Sequence, residues 1–346
     1  MEAVKVFLIT VLVFGVLIFV HELGHFITAR IFGVTVHEFA LGMGPKLFSK
    51  VKGKTKYSLR LIPIGGFCSM EGEDEASDDS GSFSSKTWWK KLIILGAGAA
   101  MNVALGFVIT TAFVGINTAN TGVLSSTYVD EVLENSPLYG FLQSGDKVVE
   151  VNGKNVHIKR DIDIAMMQSG GKECEIVIKR EGKTLTKNFV PLTAQYQDGS
   201  PAYMIGFTAA AKKNNVFGIL HEGFFQTIVM GGLVFESLGM LIGGEASFSD
   251  MSGPVGVVDA MNTQAQSGGF MALLYLAGFI SVNIGIMNLM PIPALDGGRI
   301  FFVIIEAIRR KPIPPEKEGM VHFIGLVLLM GLMVFATWND IMRLII

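Results

Sequence analysis

From Val4 to Val20 the chain runs 17 residues interrupted only by Lys5, Thr10 and Gly15, then passes with no turn signal into His21-Glu22-Leu23-Gly24-His25. With Phe26 and Ile27 beyond that cluster, the stretch reaches the roughly 20 residues a helix needs to cross the hydrocarbon layer. In such a helix His21 and His25 project from one face, one turn apart. That spacing lets two imidazoles grip one zinc ion, and Glu22 beside the first of them reaches the metal's water as a general base. Ionisable side chains in an apolar helix are costly without a task, so the cluster reads as a functional site and not as a helix cap. Glu2 precedes a single lysine, Lys5, and no small-x-small cleavage pattern follows the run. A retained span is therefore expected, not a signal segment.

The same apolar density recurs three times. Leu92 to Ala119 and Phe270 to Leu295 carry no charge, and Met320 to Trp338 carries only His322. The expected fold is a polytopic α-helical membrane protein with four transmembrane helices. Composition agrees: of 346 residues 50% are hydrophobic and 17% charged, against a usual charged share of about 25%. This excludes a disordered chain and disfavours an ordinary soluble enzyme. Basic and acidic residues balance at 28 and 30, so no nucleic-acid partner is expected.

Lysines and arginines crowd residues 30–91 and 296–319, which places both loops in the cytoplasm by the positive-inside rule. Both chain ends and residues 120–268 are then extracytoplasmic. Cys68 and Cys174 fall on opposite sides and cannot pair. The organisation read from these boundaries is an N-terminal membrane half (1–119), a β-rich domain (120–206), an amphipathic helix and loop region (207–268) and a C-terminal membrane half (269–346). Within 120–206, Lys147 to Val151 alternates like a strand, Asn152-Gly153 is a hairpin turn, Ile162 to Gln168 is helical, and Cys174 to Lys179 is a strand turning at Glu181-Gly182. This order, with SPLYGFLQSGDKVVEVNGK from Ser136, resembles a PDZ domain, a fold that captures an extended peptide on a sheet edge.

Catalytic zinc takes three protein ligands and one open position. Asp296 is the best third ligand, because span one runs inward to His21 and His25 and span three runs inward to Asp296. If Val216 to Gly244 also crossed, span three would run outward and Asp296 would lie about 30 Å away. That segment is therefore expected on the outer surface, peripheral or only partly embedded.

HELGH at the end of span one, with Asn288, Pro291 and Asp296 in NxxPxxxLDG, resembles the site-2 proteases, intramembrane zinc metalloproteases. The PDZ-like insert and Ser252-Gly-Pro-Val-Gly256 narrow the resemblance to the bacterial regulator-of-sigma-E-protease (RseP) type with one PDZ domain. It covers nearly the whole chain. One departure is visible: the family's second-span GPxxN pattern reads Gly98-Ala99-Ala100-Met101-Asn102 here. The resemblance implies a zinc endopeptidase of the bacterial cell membrane, with its active site near the cytoplasmic face. Its substrates would be single-span proteins such as anti-sigma factors or remnant signal peptides. It carries over Asn102 as a polar group near the site, and Asn288 and Pro291 as substrate-side residues. Asn288 donates to substrate or oxyanion, or else bonds between helices. Residues 34–68, with Gly42 and Gly44, read as short strands and turns. In the family they form a membrane-dipping β element that pairs with the unwound substrate. His37 reads as a loop histidine, and Lys46 to Lys56 as anchors to anionic lipid. The competing reading is a membrane PDZ scaffold or holdase with an inactive metal site.

Overall fold

A computed structural model describes residues 2–73, 79–195, 199, 201–244, 246, 247, 251–311 and 313–345. The acidic stretch Glu71 to Asp79 lies partly outside these residues. The first apolar run is one continuous helix, α1 (Glu2–Ile31). The second is α2 (Trp88–Thr121). Val216–Gly243 forms a further helix, which with α1, α2, Pro254–Leu289 and the C-terminal helix makes five among the described residues that are long and apolar enough to cross a membrane. The chain divides into two compact units, residues 1–109 with 230–346, and residues 110–229.

In the first unit, small residues let helices approach backbone to backbone. A Cβ on Gly285 would stand 2.8 Å from the Ala99 carbonyl oxygen, and Ser281 Oγ donates to the Asn102 carbonyl at 2.7 Å. His25 lies against Ile94, and His21 against Asn102. In both pairings residue numbers rise on one helix as they fall on α2. α1 and the 254–289 helix therefore run parallel to each other and antiparallel to α2.

The third apolar block differs from its sequence reading at both ends. The helix starts at Pro254, is broken at Gly269 (φ 58°, ψ −145°) and stops at Leu289, not Leu295. Pro291 and Pro293 explain the stop: neither offers an N–H, and each pushes its predecessor to extended geometry, as at Met290 (φ −66°, ψ 143°). Asp296 therefore does not end the third span. With Leu295 as its extended N-cap residue it opens a new helix, Asp296–Arg309, that the loop reading of 296–319 missed. In chain order the last four helices are α4 (Val216–Gly243), α5 (Pro254–Leu289), α6 (Asp296–Arg309) and α7 (Pro315–Ile345). The second half of α4 packs against α5. Met230 and Val234 are buried, and a Cβ on Gly231 would meet Ile286 of α5.

Residues 34–68 form more sheet than short strands: β1 (Val36–Lys52) and β2 (Thr55–Met70) are long and sharply bent. Residues 38–41 pair with 66–69 on one side and with 56–59 on the other, while 46–52 pair with 55–60. The bend falls at Gly42 and Gly44, both with positive φ, where a Cβ on Gly42 would collide with the Ile62 and Arg60 carbonyl oxygens. The base of this sheet (Val36, Phe39, Cys68, Met70) shares one apolar core with Ala29 of α1, Ile94 and Leu95 of α2, and Val303 of α6.

The second unit holds a six-stranded sheet ordered β10-β3-β4-β6-β7, with β5 paired to β4. Its strands are β3 (Val123–Val132), β4 (Lys147–Val151), β5 (Lys154–Asn155), β6 (Cys174–Arg180), β7 (Lys183–Phe189) and β10 (Phe207–Lys213). A separate hairpin joins β8 (Leu192–Gln195) to β9 (Pro201–Met204). The boundary read at 206 cuts this sheet, because β10 pairs with β3 from Phe207↔Val132 to Lys213↔Val123. Helix α3 (Lys159–Ser169) buries Ile162, Ala165 and Met166 against Val148, Val151, Ile176 and Ile178. Buried Asp146 accepts from Arg180 Nε and Nη2, both at 2.7 Å, and from the Gln143 N–H at 2.8 Å.

Candidate metal centre

One helical turn of α1 sets His21 and His25 side by side, with their Nε2 atoms 3.2 Å apart. Asp296 closes a triangle with them: its Oδ2 lies 3.1 Å from His21 Nε2 and 3.3 Å from His25 Nε2. A tetrahedral ion with ligand bonds of ~2.0–2.1 Å holds its donor atoms ~3.3–3.4 Å apart, so this triangle has the size of one face of such a shell. Among the described residues it is the one cluster of three such ligands. Its electrostatics point the same way. His25 Nδ1 is 2.8 Å from the Ile94 carbonyl, which only accepts, so Nδ1 carries the proton and Nε2 keeps its lone pair. Asp296 Oδ2 is buried with no hydrogen-bond partner. Lone pairs gathered this tightly repel one another unless a cation sits among them, and the donor set His, His, Asp suits zinc.

Glu22 follows His21 on α1, beside the β sheet: a Cβ on Gly66 would lie 3.1 Å from its Cγ and 2.9 Å from the Ala40 carbonyl oxygen. Among the described residues, strand 66–69 pairs with 38–41 on one edge and with no strand on the other. Asn102 is fully buried. Its amide nitrogen is 3.4 Å from His21 Nδ1, and its oxygen has no hydrogen-bond partner. Asn288 is the penultimate residue of α5 and Pro291 belongs to the turn that delivers Asp296. Gly42 and Gly44 are taken up by the bend of the sheet. His37 lies in β1 and not in a loop, and it pairs with Glu71 at 2.6 Å, outside the triangle. Burial pushes the Cys68 thiol up, with the Glu22 and Glu73 carboxylates adding to it, so it stays protonated.

Sequence reasoning missed the residues that hold this geometry. Gly24 and Gly98 let α1 and α2 touch: a Cβ on Gly98 would strike both imidazoles, 2.8 Å from His21 Cε1, and one on Gly24 would strike the Ala97 backbone. Gly24 stood within HELGH and Gly98 within the second-span pattern, so a signal was present. The turn before Asp296 is strained, with Ala294 at φ 71°, a left-handed value uncommon outside glycine. His322 of α7 holds it, accepting the Ala294 N–H on Nδ1 at 2.9 Å. That contact had no local sequence signal.

Helices long and apolar enough to cross a membrane, together with a cluster that could hold a metal ion, fit the class of membrane metallopeptidases. The Peptidase family M50 model matches residues 9–332. The Bacillus licheniformis zinc metalloprotease RasP is 33% identical over 421 aligned residues, covering 96% of this chain and 98% of its own. The regulator of sigma-W protease RasP of Bacillus subtilis is 30% identical, covering 96% and 97%. A Clostridium perfringens relative is 39% identical over 333 residues, 95% and 96% of the two chains. The PDZ domain of the SdrC-like protein of Listeria innocua is 24% identical, covering 26% of this chain and 99% of its own, with a TM-score of 0.22. The chain belongs to peptidase family M50, the site-2 proteases. It is a zinc metalloprotease.

Proposed function

We propose that His21, His25 and Asp296 hold the zinc ion, that Glu22 is the general base, and that the substrate is a transmembrane helix unwound at the site. The triangle of donor atoms, 3.1–3.3 Å on each side, carries this reading. Zinc bound there supplies a polarised scissile carbonyl and a water acidic enough to lose its proton near neutral pH. Glu22 takes a proton from the attacking water and passes it to the leaving amide nitrogen. With its oxygen turned towards His21, Asn102 accepts from Nδ1–H, and His21 then offers Nε2 as His25 does. Asn288 donates to the substrate backbone or the developing oxyanion.

A helical substrate keeps its amides in internal bonds and must exchange them before cleavage. The open edge of strand 66–69 beside Glu22 supplies replacement partners by strand addition. Parallel α1 and α5, each antiparallel to α2, support four full crossings with α4 only partly embedded. A full crossing by α4 would reverse α5. The basic loops put the metal site near the cytoplasmic face of a bacterial cell membrane, with both termini and the β unit outside. The β unit acts as a PDZ-type filter or peptide receptor that rejects bulky outer domains. The sigma-W regulator among the relatives favours anti-sigma factors as substrates. The test uses purified protein and Glu22→Gln in detergent, with zinc content and cleavage of a single-span helical substrate measured together. Full zinc with lost cleavage is expected; full zinc with retained cleavage sinks the mechanism.

A further inference from the structure

We infer that an open cleft between α2 and the end of α6 binds the phosphate of an anionic phospholipid headgroup. The cleft, about 360 Å³, is lined by Trp88, Lys91, Glu306, Ala307, Arg310 and Lys311. Three cations face one carboxylate there, and that carboxylate is already engaged. Glu306 Oε2 lies 3.6 Å from Lys91 Nζ, and its Oε1 accepts the Ile313 N–H at 2.8 Å. Arg310 sits in the left-handed region (φ 54°) at the end of α6 and turns the chain back, so that it and Lys311 line the same cleft. A net positive pocket lined by an arginine suits a phosphate oxyanion, because a planar guanidinium can bind two of its oxygens.

Position decides the source of the phosphate. Trp88 opens α2, and Lys311 lies just before α7, two of the helices long enough to span. The cleft therefore lies at the level where spans leave the hydrocarbon, where tryptophan is enriched and where lysine and arginine meet the anionic leaflet. The cleft wall itself offers apolar surface: Trp88, 55% exposed, lines it. A free phosphate has no use for that surface, whereas a lipid's acyl chains cover it. The bound headgroup would bridge α2, which carries Asn102, to α6, which begins with Asp296.

Trp88 supplies the probe. The full chain carrying Trp89→Phe and Trp338→Phe is reconstituted into nanodiscs of phosphatidylcholine with rising fractions of brominated phosphatidylglycerol or brominated phosphatidylcholine. Trp88 emission is expected to quench at a lower fraction of the glycerol lipid. Arg310→Gln with Lys311→Gln is expected to cut that preference by about fivefold or more, while Lys183→Gln with Lys187→Gln, exposed on β7, leaves it unchanged. Zinc content checks that each variant is folded. Equal quenching by the two lipids overturns the site, as does a preference that survives the double variant in a zinc-loaded protein. If glycerol 3-phosphate in solution displaces the quencher, the cleft takes free phosphate and the lipid assignment falls.

Discussion

The two units are built on opposite rules. Around the metal centre, structure depends on side chains that are missing. Gly24, Gly98 and Gly285 bring backbones together so that His21, His25 and Asp296 can crowd their lone pairs at one point. In the β unit it depends on side chains that are large. Leu138, Val148, Met166, Ile176 and Ile178 are among its most buried residues and share one apolar core. The first unit should therefore be hurt most by adding atoms, and the second by removing them.

The largest effect belongs to chemistry rather than packing. Glu22→Gln should lower cleavage by about 10²–10⁴-fold, the range of a lost general base, with zinc content unchanged. Asp296→Asn should release zinc as well, because it weakens a ligand and not only the base. Atomic absorption on the purified variants separates the two, and unchanged zinc affinity in Asp296→Asn would remove that residue from the shell.

The packing contrast comes next. Ile178→Ala in the full chain should cost about 2–5 kcal/mol in the β unit, as buried aliphatic truncations do, and leave zinc content alone. Gly98→Ala adds a single methyl against the imidazoles and should weaken zinc binding by about 10–100-fold, the range seen when the surroundings of metal ligands are disturbed. Hydrogen exchange over residues 123–213, read beside a zinc competition titration, checks both. If Gly98→Ala binds zinc normally and Ile178→Ala does not, the contrast is reversed. His322→Leu tests the strained turn from a distance. Without an acceptor for the Ala294 N–H, Asp296 should lose its fixed place and zinc affinity should fall, while His322→Asn restores part of it by offering a side-chain oxygen.

The same contrast explains what could be read from sequence. HELGH was legible because metal chemistry demands fixed residue types at fixed spacing, and Asp296 because the expected direction of the spans put it at the same end as the histidines. The start of α6 was not legible. Hydropathy runs unbroken through Leu295 and hides the stop that Pro291 and Pro293 impose. The roles of Gly98 and His322 exist only through contacts across 73 and 28 residues of chain. In the β unit, Asn152-Gly153 and Glu181-Gly182 marked the turns plainly, and both Asn152 and Glu181 take the expected positive φ. β10 escaped because it lies past a loop, and its pairing with β3, 75 positions away at Phe207↔Val132, leaves no local mark.

The smallest effect sharpens the comparison at low pH. Burial alone would raise the Asp146 carboxyl, but the Arg180 guanidinium and the Gln143 N–H outweigh it and hold the group below its ordinary value of 3.8. The folded state thus binds this proton less readily than the unfolded chain does. The resulting stability is fully present above the ordinary carboxylate range and is lost as pH falls through the lowered folded value. Asp146→Asn should cost about 1–2 kcal/mol near neutrality and should flatten the acid limb of the β unit, because Asn carries no proton to gain. The amides of β4 and β6, which flank the ion pair, report it by hydrogen exchange across that range. The zinc half supplies the control, since the pair lies wholly within residues 110–229. An acid limb identical in the variant would mean that Asp146 does not set it, and that the β unit unfolds in acid through some other carboxylate.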